Sequence, residues 1–172
     1  MVLMNAEILQ ARRALRMTIQ HKVLVMTELA ADNYIRVFSI HGQNWSVLLS
    51  RDNQWGFEYE GEFRSFETPA GCLPLLPLLE ISYSQAIEVV RAGLRQAGVD
   101  GLGVESFPFE QLMQRALTWE TSYWPTLAVE WLENGYPLSN QFKAALEQIT
   151  IDKRYSQNLR HRAAHLIKQH SH

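Results

Sequence analysis

The sequence predicts an α+β fold, in which a small antiparallel sheet is followed by a series of short helices. Three observations lead to this prediction. Residues 34–66 contain short runs of aromatic and β-branched residues, separated by turn residues. Ser82 and Gln85 have the spacing of a helix-capping box, and serines then recur every 16 or 17 residues from Ser106 onward. With 172 residues, of which 47% are hydrophobic, the chain suits one compact domain or two small lobes that share a core.

The first predicted element is an N-terminal helix. Asn5 can serve as its N-cap, and apolar residues then recur every three or four positions, as on the buried face of a helix. The part from Lys22 to Leu29 also fits a strand, because Val23 and Val25 alternate with other residues; we favour one long helix. Its apolar stripe consists of Ile8, Ala11, Leu15, Ile19, Val23, Met26 and Ala30.

Four short strands are predicted next. The breaks between them are rich in Gly, Asn and Asp, which favour turns. Such short connections indicate an antiparallel meander of hairpins, with one face packed on a helix and the other in water. The strands are predicted at Tyr34–Ile40, Trp45–Ser50, Trp55–Tyr59 and Glu62–Phe66.

The segment from Thr68 to Ile81 contains Pro69, Pro74 and Pro77 among leucines. Proline in a helix interior removes a backbone donor and collides with the preceding turn. We therefore expect an extended, buried strap that crosses the molecule.

Helices dominate the rest of the chain. The glycines between Gly98 and Gly103 mark the best internal boundary, which divides residues 1–100, the α+β part, from residues 104–172, the helical part. Because a serine hydroxyl can accept from the free amides of a first helical turn, the recurring serines predict four to five short helices after the boundary. The consensus of the tetratricopeptide repeat is absent. The predicted N-caps are Ser106, Ser122, Ser139 and Ser156.

Composition suggests a cytoplasmic protein. Arg12, Arg13 and Arg16 interrupt what would be the apolar run of a secretory signal, and no stretch approaches the roughly 20 apolar residues of a membrane helix. The single cysteine, Cys72, excludes an intramolecular disulfide and a zinc site made of several cysteines.

Charge is distributed unevenly along the chain. The net charge is −2 for the whole chain, +3 for residues 1–22 and +4 for residues 143–172, which leaves −9 for residues 23–142. Such asymmetry bears on partners and on their rate of encounter. An acidic middle predicts a basic partner.

The β region contains the most distinctive of these charges. Side chains alternate across a strand, so Trp55 and Phe57 should point to one face and Glu58 and Glu60 to the other. The simpler interpretation is ordinary amphipathic alternation with carboxylates in solvent. The functional interpretation is an acidic surface that meets a basic partner, made of Asp52, Glu58, Glu60, Glu62 and Glu67.

Other tempting features have adequate structural interpretations. His161 and His165 are four residues apart on a helix and are weak metal candidates, but arginines flank His161 and the expected glutamate is missing. Tyr123 and Trp124 are core aromatics or the lining of a peptide groove. The basic last helix is more simply a solvated face than a nucleic-acid site.

Three functional hypotheses follow. The first is a non-enzymatic protein-binding module, such as an inhibitor or immunity-type protein that covers a basic partner. The second is a helical scaffold that docks a peptide or helix through Tyr123 and Trp124. The third is an enzyme, in which His21, His41 and Cys72 converge with a carboxylate. No cofactor, membrane anchor or nucleic-acid partner is expected.

Overall fold

The computed structural model describes residues 29–30, 34–40, 45–60, 62–99 and 101–170. The predicted N-terminal helix therefore lies outside the described residues, apart from its last two positions. Leu29–Ala30 forms a short strand, β1, which pairs with the next strand of the sheet. The prediction of a helix up to Ala30 is wrong at this end, because the backbone there is matched to a neighbouring strand rather than to a helical turn.

The predicted four-stranded meander is confirmed. The strands lie side by side in chain order, and each neighbouring pair is antiparallel. Every strand end falls within one residue of its predicted position. The strands are β2, Tyr34–Ser39; β3, Ser46–Ser50; β4, Trp55–Tyr59; and β5, Glu62–Ser65.

Tight connections set the register of the hairpins. Tyr59 pairs with Glu62, so two residues connect β4 to β5, and the first of them, Glu60, has a φ of 53°. Two-residue hairpins favour positive φ because the twist of the turn then matches that of the strands. Between β3 and β4, Asn53 has a φ of 60°, a conformation that asparagine tolerates better than most residues.

The proline-rich segment is buried, but it is helical rather than extended. Pro69–Glu80 forms a 3-10 helix of 12 residues, and its first turn is capped by Thr68, whose Oγ1 accepts a hydrogen bond from the Gly71 amide at 3.2 Å. The predicted extended conformation is therefore wrong. The φ that the proline ring imposes lies within the range of a 3-10 helix, so Pro74 and Pro77 are accommodated in this tighter geometry.

Five α-helices follow within the described residues, four of them after the glycine-rich loop. A short 3-10 turn, Val104–Ser106, precedes the second. Within the same ranges, no single helix is long and apolar enough to cross a membrane; the 3-10 helix and α1 reach that length and composition only together, across a bend of 112°. The helices are α1, Tyr83–Gln96; α2, Phe109–Leu117; α3, Tyr123–Glu133; α4, Asn140–Ile151; and α5, Gln157–His170.

The capping box at the start of α1 is present as predicted. Ser82 Oγ accepts from the Gln85 amide at 3.3 Å, and Gln85 Oε1 accepts from the Ser82 amide at 3.0 Å. The two residues thereby satisfy amides that a helix start otherwise leaves without partners.

The four later serines behave differently from one another. Ser156 accepts from the amide three residues on, at 3.2 Å, and so caps α5. Ser122 and Ser139 precede α3 and α4, but neither makes a side-chain cap. Ser106 is wrong as a cap, because α2 begins only at Phe109.

Strands and helices share one continuous hydrophobic core. Helix α1 lies so close to β2 that a Cβ atom on Gly93 would be 2.8 Å from both Cγ1 and the carbonyl oxygen of Val37. Trp131 of α3 is 2% exposed, and its indole donates to the carbonyl of Ile81 at 2.8 Å. The core therefore joins the segments on both sides of the glycine-rich loop.

Candidate partner-binding cleft

A cleft of about 480 Å³ lies where the sheet meets the helical part. This volume falls in the range of about 300–1,000 Å³ that is typical of ligand sites. The sheet side is formed by the loop before β4, the start of β4 and the residues after β5, and the helical side by residues 105–111 with Tyr83, Tyr136 and Pro137. Six of the lining side chains are aromatic: Trp55, Phe66, Tyr83, Phe107, Phe109 and Tyr136.

Hydrogen bonds and ring contacts hold the two sides together. The Trp55 indole donates to Ser106 Oγ at 3.2 Å, and that hydroxyl donates to the carbonyl of Gly103 at 2.7 Å. The Phe107 ring lies edge-on to Trp55, with 5.1 Å between centroids, and 4.7 Å from Phe109. The back of the cleft is therefore packed, and its shape depends on both parts of the chain.

The charged residues that line the cleft are all acidic. They are Glu67, which follows β5, Glu105 in the 3-10 turn and Glu110 in the first turn of α2. Within the part of the chain that the structure describes, none of the three forms an ion pair. One oxygen of Glu67 accepts from Gln54 Nε2 at 3.2 Å. Three acidic residues therefore line the cleft beside its aromatic walls, and the carboxylate of Glu105 packs against Gly103.

Tyr136 adds a hydroxyl group to this lining. The residue is only 9% exposed, and no described residue forms a hydrogen bond with its hydroxyl. Burial, followed by the nearby Tyr83 and Glu110, raises its pKa above the ordinary tyrosine value. At neutral pH Tyr136 is therefore an uncharged group that can donate to or accept from an occupant.

The structure brings two of the five predicted surface carboxylates to the cleft end of the sheet. Glu67 lines the cleft, and Asp52 lies exposed in the loop before β4, next to the lining residue Asn53. The amide of Phe66 donates to the carbonyl of Trp55 at 2.9 Å, which keeps the two segments side by side.

The other three predicted carboxylates lie at the opposite end of β4, about 13 Å away along the strand. They do not share one face. Glu58 pairs with Phe63, whereas Glu62 pairs with Tyr59, so their side chains point to opposite faces. Glu60 lies in the hairpin turn and not in the strand, so the predicted alternation of Glu58 and Glu60 on one face is wrong.

A basic residue is also present at this far end. The Arg64 guanidinium lies 4.8 Å from the centroid of the Tyr59 ring and 4.0 Å from Glu62. The five carboxylates therefore form two separate groups, and the far group is partly neutralised.

Tyr123 and Trp124 lie at the start of α3, away from the cleft. Tyr123 is 51% exposed, and its hydroxyl donates to Glu80 at 2.9 Å. Trp124 is half-buried, packs against the core and lies edge-on to Tyr123 at 4.7 Å. Trp131, in the same helix, is by contrast buried in the core.

The remaining candidates do not form a reactive site among the described residues. His161 and His165 are both exposed on α5, and within the described ranges no three His, Cys, Asp or Glu side chains are grouped to hold a metal ion. Cys72 is fully buried, its thiol donates to the Phe66 carbonyl at 3.4 Å, and burial raises its pKa to about 12. It is thus a poor nucleophile. His21 and His41 lie outside the described residues.

Sequence reasoning missed Glu105, Glu110 and Tyr136. A local signal was present, because Glu105 and Glu110 flank a Ser-Phe-Pro-Phe sequence in which aromatic and acidic residues are close together. Tyr136 carries no such signal, since it comes from a distant turn after α3.

Comparisons with known proteins give no family for this chain. The sequence matches no protein-family model, and comparison with curated proteins and with solved structures finds no significant similarity.

Proposed function

We propose that this protein is a non-enzymatic binding module that captures a basic protein partner through the acidic end of its sheet and the adjoining cleft. The observation that carries the proposal is the cleft lining, with Glu67, Glu105 and Glu110 and no basic residue. Asp52 extends the acidic surface onto the neighbouring loop.

Electrostatic complementarity would act mainly on the encounter and on the choice of partner. A basic protein is drawn to an acidic surface at rates that fall as salt is added. The aromatic walls provide apolar area that a docked segment can cover, which is where most of the binding free energy of an interface arises.

An inhibitor or immunity-type role is the form of this function that we favour. Covering the basic surface of an enzyme would block access of an acidic substrate to that enzyme. The protein would then need no catalytic group of its own.

Two matched charge-reversal variants test the proposal. Glu67, Glu105 and Glu110 are changed to lysine in the cleft variant. The sheet-tip variant carries the same three changes at Glu58, Glu60 and Glu62, and its net charge is identical. Both are immobilised beside the unaltered protein, exposed to host lysate, and each captured polypeptide is purified and rebound directly.

We expect the unaltered protein and the sheet-tip variant to bind the same basic polypeptide, with affinity that falls as salt rises, and the cleft variant to lose it. If only the sheet-tip variant loses partner binding, the partner instead contacts the surface of Glu58, Glu60 and Glu62. Retention in both variants would refute a role for these carboxylates. Circular dichroism on all three proteins controls for unfolding.

A helical scaffold is the second candidate, because Tyr123 exposes half of its surface at the start of α3. Trp124→Ala separates the two interpretations of this aromatic pair. Loss of partner capture with the fold retained would support a groove, whereas loss of the fold would identify Trp124 as a packing residue.

A further inference from the structure

We infer that the cleft receives an arginine side chain, presented by an extended segment of the partner in which apolar residues flank the arginine. This inference rests on the proposed function and specifies what the cleft binds. Its first support is charge. Glu67, Glu105 and Glu110 line a cavity of about 480 Å³ that has no basic residue in its lining, so a cation is the complementary occupant.

The second support is the polar group of a largely buried side chain, and it is independent of the acidic residues. Tyr136 is 9% exposed, lines the same cavity, and its hydroxyl has no hydrogen-bond partner among the described residues. The hydroxyl can accept from, or donate to, a group that enters the cleft beside Glu110.

The shape of the lining favours arginine over lysine. The carboxylates come from three different segments, and a guanidinium carries five donors in a planar fork that can reach several acceptors at once, whereas an ammonium is a compact point charge. A planar cation also stacks on aromatic rings. The protein already uses both contacts elsewhere: Arg115 lies 4.4 Å from the centroid of the Trp119 ring, and Arg162 makes paired hydrogen bonds to Glu133.

The apolar walls of the cleft indicate that apolar residues stand on both sides of the arginine. Phe66, Phe107 and Phe109 line the cleft together with Pro108 and Pro137, and these surfaces have no polar group to offer. Leucines on either side of the arginine would cover them.

The test uses the full chain and three synthetic peptides that differ at one position. Each peptide has two leucines around a central residue and glycines elsewhere; the central residue is arginine, lysine or citrulline, the uncharged analogue of arginine. The readout is the indole ¹H–¹⁵N signal of Trp55, which lines the cleft, and the internal control is the indole signal of Trp119, which does not. Binding is measured at low salt.

We expect the arginine peptide to shift the Trp55 signal and to bind at least about tenfold more tightly than either other peptide. In the protein, Glu105→Gln with Glu110→Gln should reduce the affinity for the arginine peptide toward that for the citrulline peptide. The matched pair Glu58→Gln with Glu60→Gln should leave it unchanged. Equal binding of the arginine and citrulline peptides, tighter binding of the lysine peptide, or insensitivity to the cleft pair would each overturn the inference.

These outcomes are separable from those of the proposed function. If the arginine peptide fails to bind but the cleft variant still loses its protein partner, the proposed function stands and the arginine occupant is wrong. If the arginine peptide binds as expected but the cleft variant keeps its protein partner, the cleft accepts arginine but is not the partner's docking surface.

Discussion

The hydrogen bond between Trp55 and Ser106 joins the sheet to the helical part, and its removal should weaken the whole fold. Trp55 is 6% exposed, and its indole donates to Ser106 Oγ at 3.2 Å. A typical hydrogen bond contributes about 0.5–1.5 kcal/mol net, and a buried donor left unsatisfied costs about 1–3 kcal/mol. Because Ser106 is exposed, water can partly replace its hydroxyl. We therefore expect Ser106→Ala to cost about 1 kcal/mol, which lowers Tm by roughly 2–4 °C in a chain of this length.

A double-mutant cycle isolates this hydrogen bond. The free energy of unfolding is measured in urea for the unaltered protein, Ser106→Ala, Trp55→Phe and the double variant. We expect a coupling free energy of about 1 kcal/mol, because the second change has no hydrogen bond left to remove. The control pairs Ser106→Ala with Trp119→Phe, an indole outside the cleft, and should be additive.

Additivity within about 0.3 kcal/mol for the Trp55 pair would refute the reasoning. The two sides of the cleft would then be held by apolar packing, and the hydrogen bond would contribute nothing measurable to stability.

Three further changes test the packing, burial and charge pairing of the fold. Gly93→Ala should destabilise the protein by about 1–3 kcal/mol, since a methyl group there would lie 2.8 Å from the backbone of β2. Gly101→Ala is the control: Gly101 faces open space, so the free energy of unfolding in urea should change by less than about 0.5 kcal/mol. Cys72→Ala should flatten the pH dependence of stability. Burial raises the pKa of the Cys72 thiol from 9.0 to about 12, so the contribution of the thiol to stability is complete below pH 9 and is lost as pH rises toward 12, by at most about 1.4 kcal/mol per pH unit. The free energy of unfolding is measured by urea titration between pH 8 and 10. If it changes equally steeply with pH in Cys72→Ala and in the unaltered protein, this prediction is contradicted. Arg162→Lys should cost about 0.5–1 kcal/mol, because lysine cannot reproduce the paired hydrogen bonds to Glu133; this cost should shrink in 1 M salt.

The sheet was predictable because its signals are local. Each strand is a short alternating run between turn residues, and the two-residue turn before Glu62 leaves little freedom in the pairing of β4 with β5. The capping box at Ser82 is equally local, since both of its hydrogen bonds join residues three apart.

The errors arise where distant contacts or backbone geometry decide. Ser106 looks like a helix cap in sequence, but its hydroxyl is used by Trp55, 51 residues away. The prolines of residues 69–80 predict an extended segment because proline disfavours an α-helix interior, but that rule does not exclude the 3-10 geometry.

The candidate site was only partly predictable for the same reason. The acidic residues near β4 were visible, but strand geometry separates Glu58 and Glu62 onto opposite faces. The cleft itself depends on how residues 105–111 pack against the start of β4, which no local pattern specifies. Tyr136 enters it only through tertiary folding.

Because the cleft has walls from both sides of the glycine-rich loop, ligand binding and global folding are thermodynamically linked. A segment that occupies the cleft binds the assembled chain and has no equivalent site on an unfolded one. At a free concentration one hundred times its Kd, such a ligand would stabilise the folded state by about 2.7 kcal/mol. Cooperative unfolding would spread that gain over strands and helices alike, and hydrogen exchange would slow far from the point of contact. A thermal-shift screen of basic peptides could therefore detect an occupant before any host partner is identified.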